Sequence, residues 1–285
     1  MIDLRLGDCL EIMRDMPDAS VDLHVFSPPY NCRKEYANFN DQMAWDGWYS
    51  WMEKILDECY RTLCIGGTMA INVPGVIKWQ REHKFNHTWS DYDPTYKNHR
   101  GNEKWIGKGR IEPVGFRLFE MMRERDKHVR EPIVWVKGSE GNAIAAGYQC
   151  GCDSDPFLRA THEFILLGSK ERWFHRGGTG RRGVEAIPHL DYTKDVWFVS
   201  PERSTKHPAP FPKEIPARLI SLFCHAPDAV VCDIFCGTGT SGIASVEAKK
   251  SFIGIDNAQE YIELAQRRIA EAQAQMNRER KVSND

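Results

Sequence analysis

No stretch of this sequence reaches the roughly 18 consecutive apolar residues that a membrane span requires, and Met1 to Asp8 hold no apolar core of a secretion signal. A soluble, cytoplasmic protein without a membrane partner is therefore expected. Neither Cys150-Gly-Cys152 nor Cys232-x3-Cys236 has the C-x2-C spacing, matched by a second ligand pair, that marks structural zinc. No metal is expected. The nine cysteines, an odd number scattered through apolar segments, make no compact disulfide framework and fit a reducing compartment. The glycine-rich turns lack a G-K-[ST] ending, which excludes a P-loop, and neither an internal repeat nor a low-complexity block occurs.

What is present suits one large α/β domain with an embellishment. The chain has 285 residues, 41% of them hydrophobic and 27% charged, enough apolar material for a buried core. A net charge of -2 hides an uneven distribution. Residues 76–190 carry 20 Lys and Arg against 15 Asp and Glu, whereas the remainder carries 18 against 25. The basic middle also holds seven of the ten histidines and several aromatic residues. That mixture suits phosphate contact and base stacking, and it equally suits an ordinary solvated face.

Hydrophobic patterning orders the chain into strands and helices. Leu4 to Gly7 and Val21 to Phe26 read as strands, with a short helix, Cys9 to Met16, between them. Trp48 to Leu63 has the helical period, and Gly66-Gly67 is expected to end that helix before a strand, Thr68 to Val73. Periodicity weakens from Pro74 to Glu131, apart from a helical stretch near Arg117 to Arg125, and strands return at Pro132 to Lys137 and Glu163 to Gly168. The last third is the most regular, with a strand (Ala229 to Phe235), a glycine turn, a helix (Ser241 to Ala248), a strand (Ser251 to Asp256) and a helix from Ala258 to Met276. A polar, frayed tail is expected from Asn277. Strand, glycine turn, helix, strand and acidic residue make half of a doubly wound sheet, so the expected fold is Rossmann-like α/β, mostly parallel, with helices on both faces.

Two corners of that sheet carry chemistry. In the first, Asp233-x-Phe235-Cys236-Gly237-x-Gly239-Thr240 follows a buried strand and opens a helix, so the backbone can come close to a ligand. Asp256, sixteen residues after Thr240, ends the next strand, where a carboxylate can accept hydrogen bonds from both ribose hydroxyls of an adenosine moiety. A purely structural turn also explains a G-x-G pair. An adenosyl ligand with a sulfonium and an amino-acid tail needs a carboxylate for its ammonium group, which Asp233 could supply.

The second corner is Ser27-Pro28-Pro29-Tyr30, where two prolines force the chain out of the sheet into a rigid turn. An exocyclic amine conjugated to a heteroaromatic ring is a poor nucleophile. Acceptors aimed at its N–H bonds localise the lone pair for attack on a methyl sulfonium, and Ser27 Oγ with the Pro28 carbonyl are suited to that. Tyr30 offers a flat face on which an extruded base could stack. Taken alone, the tetrapeptide is equally a turn that closes a strand.

Taken together, the motifs resemble the amino-directed DNA methyltransferases of the permuted β group, in which the catalytic tetrapeptide precedes the cofactor motif. The resemblance rests on Gly7-Asp8-Cys9-Leu10, Ser20-Val21-Asp22 with Ser27 to Asn31, and Arg61-x-Leu63-x-x-Gly66-Gly67. It continues through Thr161-His162-Glu163-Phe164-Ile165, Lys206-His207-Pro208-Ala209-Pro210-Phe211-Pro212, Asp233 to Thr240, and Gly254-x-Asp256. Ile234 and Thr238 stand where the family often has proline and serine. The resemblance implies S-adenosyl-L-methionine as cofactor, with Asp8, Lys206, His207 and Pro208 beside it, and double-stranded DNA as substrate. Ser27 resembles enzymes acting on N4 of cytosine, whereas Asp there is more usual for N6 of adenine. Methylation at carbon 5 of cytosine is disfavoured, because it needs a cysteine nucleophile and the chain has no Pro-Cys pair.

The expected organisation follows. Residues 1–74 form the catalytic part, 75–195 supply strands of the same sheet with target-recognition insertions at about 75–130 and 138–190, 196–276 form the cofactor part, and 277–285 the tail. Within the insertions Arg181 and Arg182, set among glycines, are candidates for entering a DNA groove. A homodimer and a cognate restriction endonuclease are compatible partners. Two other classes stay open: a DNA-binding protein that keeps the fold without transferring methyl, and a methyltransferase for RNA, protein glutamine or a small molecule.

Overall fold

The computed structural model describes residues 1–32, 38, 41–78, 111–125, 128–144, 160–179, 190–202 and 212–282. In chain order the elements are β1 (Ile2–Leu6), α1 (Cys9–Arg14), β2 (Val21–Phe26), α2 (Trp45–Thr62), β3 (Leu63–Val73), β4 (Ile77–Lys78), β5 (Ile111–Glu112) and α3 (Val114–Arg125). There follow β6 (Val129–Ser139), β7 (Asn142–Ala143), β8 (His162–Ser169), β9 (Val196–Val199), α4 (Glu214–Phe223), β10 (Val230–Asp233), α5 (Thr240–Glu247), β11 (Ser251–Asp256) and α6 (Gln259–Val282).

Nine strands make one sheet, in the order β1-β11-β10-β2-β3-β8-β6-β7, with β9 also on β6. The first five run parallel, β8 is antiparallel to both its neighbours, and β9 runs parallel to β6. Consequently the carboxyl ends of β2, β3, β6, β10 and β11 share one edge with the amino end of β8. Every residue of β2 is buried, as a strand covered on both faces requires. Apolar residues of α1, α2 and α3 pack on one face and those of α4, α5 and α6 on the other. The expected fold class is the observed one. Among the described residues no helix is long and apolar enough to cross a membrane.

The differences from the sequence reading have local causes. Helix α2 ends at Thr62, before the glycines, and Leu63 already pairs with Val21 of β2; the register then jumps, so that Leu23 pairs with Thr68. Gly66-Gly67 is therefore an irregularity inside β3 rather than a helix stop. Gly66 sits at φ 81°, and a side chain there would run into the Phe174 backbone. Helix α4 carries Ile215, Leu219, Ile220 and Phe223 at helical spacing but is hidden in the sequence by Pro216 and the prolines that precede it; Pro216 lies in the first turn, where a missing N–H costs nothing. The expected tail is a correction: α6 continues through Val282, supported by a Gln275–Glu279 hydrogen bond of 2.9 Å one turn apart. Long, charged side chains have good helix propensity, so polarity alone does not mark an end.

Candidate active site

Strands β2 and β10 are parallel neighbours, Leu23 and His24 pairing with Val231 and Cys232. Their carboxyl ends place the two sequence corners side by side. Phe26, just before Ser27, meets Phe235 of the glycine turn edge to face at 5.8 Å between ring centroids, and Trp51 of α2 meets Phe235 at 5.7 Å. The loop after Tyr30 also reaches the first corner, because Asn38 and Asn257 exchange side-chain-to-carbonyl hydrogen bonds of 2.8 and 3.0 Å.

The two carboxylates of the glycine corner bond residues near in sequence. Asp233, 1% exposed, accepts from the Phe235 N–H at 3.1 Å and from Ser241 Oγ at 2.5 Å, and burial raises its pKa to about 7. Its carboxylate thus pins both ends of the turn. Asp256 accepts from Gly237 N at 2.9 Å and Ala258 N at 3.0 Å, and burial pushes its pKa up. Asp8 caps α1 through Leu10 N and Glu11 N, while Gly7 N donates to the Asp256 carbonyl at 2.9 Å, which brings β1's end to the same place. Each Asp256 oxygen keeps acceptor capacity beyond its backbone donor, and the side chain is only partly buried. That pair of acceptors, at the carboxyl edge of a parallel sheet beside Phe235, fits the ribose diol of an adenosyl group.

Gly237, Gly239 and Gly242 follow the G-x-G-x-x-G spacing that dinucleotide sites also use, so spacing by itself does not choose the nucleotide. Gly239, at φ 80°, is required by packing: a Cβ there would lie 2.8 Å from Ala265 Cβ of α6. This glycine brings α6 against the turn, a reason different from ligand approach. Cys236 is 5% exposed, with burial pushing its thiol well above the ordinary range, so it is no nucleophile at neutral pH.

The proline corner is held from far along the chain. Trp48 Nε1 of α2 donates to the Pro29 carbonyl at 3.0 Å. Asn31, at φ 57°, is clasped by Asp41 and Met43, its N–H donating to Asp41 Oδ1 at 2.6 Å. Ser27 Oγ lies 2.7 Å from the Tyr30 hydroxyl. That hydroxyl in turn lies 2.8 Å from Asn72 Nδ2 of β3 and 3.2 Å from Glu163 Oε2 of β8. Asn72 Nδ2 also donates to Glu163 Oε2 at 2.8 Å, and Lys137 Nζ of β6 donates to Glu163 Oε1 at 2.5 Å. Among the described residues Asn72 Oδ1 is a buried acceptor without a partner, a situation costing about 1–3 kcal/mol. Tyr30 is 9% exposed and packs in the core, so little of it is open to a stacking base.

Ser27, Pro28, Pro29 and Tyr30 are expected from the sequence; Asn72 and Lys137 are not, and Glu163 has no role there beyond the resemblance. A signal exists: Asn72 is an amide in an otherwise apolar strand end, and Glu163 opens the apolar run Phe164-Ile165-Leu166-Leu167. Lys206, His207 and Pro208, expected beside the cofactor, and Arg181 and Arg182, expected in a groove, lie outside the described residues.

A DNA methylase family model covering N6- and N4-directed enzymes matches residues 21–267. The chain belongs to that family. It is a DNA methyltransferase, and S-adenosyl-L-methionine is its methyl donor. Among its relatives, the Type II methyltransferase M.BglII of Bacillus subtilis is 26% identical over 91% of this chain and 66% of its own length. A putative DNA modification methylase from Thermus thermophilus, complexed with S-adenosyl-L-methionine, superposes with a TM-score of 0.68 at 24% identity, over 95% of this chain and 94% of that one. The cytosine-N4-specific PvuII DNA methyltransferase superposes at 0.64 with 17% identity, over 96% and 91%. Both likenesses show the same fold.

Proposed function

We propose that this methyltransferase modifies N4 of a cytosine turned out of double-stranded DNA. The observation that carries the reading is Ser27: a hydroxyl at the proline corner, one strand from the adenosine corner, with Phe26 and Phe235 in contact between them. When bound, S-adenosyl-L-methionine supplies an electrophilic methyl group. Ser27 Oγ and the Pro28 carbonyl accept from the two N–H bonds of the target amine and localise its lone pair, in a turn whose prolines and Trp48 anchor remove the cost of ordering it. Tyr30 holds Ser27 through its hydroxyl and borders the space for the base. Asp256 takes the ribose hydroxyls; Asp8, Asp233, Phe235, Cys236, Gly237, Gly239 and Thr240 shape the cofactor cleft, with Lys206, His207 and Pro208 beside it. Arg181 and Arg182 contact the DNA from the recognition segments within 75–130 and 138–190.

Serine rather than aspartate at the head of the tetrapeptide resembles the enzymes acting on N4 of cytosine, and that resemblance supports cytosine over adenine. Type II names among the relatives support a restriction endonuclease acting at the same site, and a homodimer is compatible with this arrangement. The test is to incubate the protein with methyl-labelled cofactor and duplex DNA, then digest to nucleosides. Label on N4-methylcytosine is expected. Label on N6-methyladenine would overturn the base assignment, and unlabelled DNA would overturn the activity.

A further inference from the structure

The chain of polar groups behind Ser27 has a direction. The Tyr30 hydroxyl carries one proton and, among the described residues, lies near Ser27 Oγ at 2.7 Å, Asn72 Nδ2 at 2.8 Å, Glu163 Oε2 at 3.2 Å and the Asn72 carbonyl at 3.3 Å. Asn72 Nδ2 can only donate. Its amide is turned with the nitrogen toward both Tyr30 and Glu163, although this leaves Oδ1 buried and unpaired among the described residues. A turned-over amide would give Oδ1 a hydroxyl partner but would set it against the carboxylate. The Glu163 charge therefore fixes the amide, and its salt bridge to Lys137 holds the carboxylate in place.

The same charge decides the hydroxyl protons. A carboxylate is a stronger acceptor than a neutral hydroxyl or amide oxygen, so the Tyr30 proton goes to Glu163. The Tyr30 oxygen is then left as acceptor, and at 2.7 Å the Ser27 proton goes to it. With its one proton turned inward, Ser27 Oγ presents only lone pairs at the mouth of the corner. Had Tyr30 donated to Ser27 instead, the Ser27 proton would point outward and meet the N–H of an amine, donor against donor.

We infer that Glu163 is a positioning residue that sets the hydrogen-bond polarity of Ser27 through Tyr30, making the serine an obligate acceptor for the target amino group. Asn72 and Lys137 serve the same end. The inference rests on the proposed role of Ser27, and strand order makes it physically possible: β8 alone runs antiparallel between β3 and β6, so its first residues meet the carboxyl ends of both.

The test is a double-mutant cycle between Glu163→Leu and Tyr30→Phe in the full chain. It measures kcat at saturating DNA together with cofactor affinity and thermal midpoint. Each single substitution is expected to lower kcat by about 10- to 100-fold, the worth of one hydrogen bond to a charged group, with cofactor affinity within about twofold of wild type. Because Glu163 acts through the Tyr30 hydroxyl, the double variant should be within about threefold of the weaker single variant. Losses that multiply, or an unchanged kcat in Glu163→Leu, would overturn the inference. Should Glu163→Leu fail to fold, Glu163→Gln runs the same cycle. Its carbonyl still accepts but without charge, so a loss of about three- to tenfold is expected in the wild-type background and none when Tyr30 is phenylalanine. An equal loss in both backgrounds overturns it. If wild type itself leaves DNA unlabelled, the proposed function has failed; if wild type methylates and the cycle is additive, the positioning role alone has failed.

Discussion

The two corners of the carboxyl edge differ in how their central side chains are held. At the glycine corner Asp233 bonds residues two and eight positions on, and Asp256 bonds a residue two positions on and one nineteen back. At the proline corner the groups behind Ser27 come from β3, β6 and β8, with Tyr30 and Glu163 separated by 133 positions. A corner wired locally forms with its own supersecondary unit. A corner wired at long range exists only once the sheet has closed, so its geometry reports on the whole domain.

The largest effect that separates the corners is expected from Ser27→Ala. Loss of one acceptor aimed at developing charge should lower kcat by about 100- to 1000-fold, while equilibrium titration finds cofactor affinity within about twofold. A matching loss of affinity would merge the two corners into one unit. Asp256→Ala is the converse: cofactor affinity should fall by about 10- to 100-fold, as for loss of charge-assisted hydrogen bonds, measured by the same titration. Residual turnover at saturating cofactor should survive better than in Ser27→Ala.

A third test concerns the packing beneath the turn. Gly239→Val places a branched side chain at φ 80° and against Ala265, and should destabilise the protein by about 2–4 kcal/mol in urea unfolding. Ala265→Gly should recover part of that loss by removing the atom 2.8 Å away, which a demand from the ligand alone would not allow.

The smallest change, taken per pH unit, is expected from two buried groups on the neighbouring strands that carry the corners. His24 of β2 donates Nε2–H to Thr62 Oγ1 at 2.8 Å, since the Thr62 proton is given to the Glu58 carbonyl, and burial lowers its pKa to about 3. The unfolded chain binds a proton below the ordinary value of 6.5 and the folded chain does not, so His24 costs stability as pH falls from 6.5 toward 3. Asp233 has the opposite sign. Its folded pKa, about 7, lies above the ordinary value of 3.8, so the stability it contributes is present below 3.8 and is lost as pH rises toward 7. In cofactor-free protein, His24→Phe should gain on wild type as pH falls and Asp233→Asn should gain as pH rises. Each slope should reach about 1.4 kcal/mol per pH unit at most, read from urea unfolding across pH.

How much of this is legible beforehand follows from the same contrast. The strand Ser251–Asp256 reads correctly to the residue, and the glycine turn to within a residue or two, because an apolar run, glycines and an acidic terminus act on neighbours in sequence. Gly66-Gly67 misleads because the same two glycines serve a turn or an irregular strand, and only the pairing of β3 with β2 and the approach of Phe174 distinguish them.

The sequence by itself determined most of the elements and their order, the two motifs and the kind of chemistry each suits, because propensity, periodicity and proline constraint operate within a few residues; α4 and β9 escaped it. Tertiary structure decided which strands became neighbours, and with that the meeting of Phe26 and Phe235 and the assembly of Asn72, Lys137 and Glu163 behind Tyr30. Those contacts depend on parallel pairing and on one reversed strand, and pairing across so many residues is selected by burial of the whole sheet between its two helical layers, which no local pattern encodes.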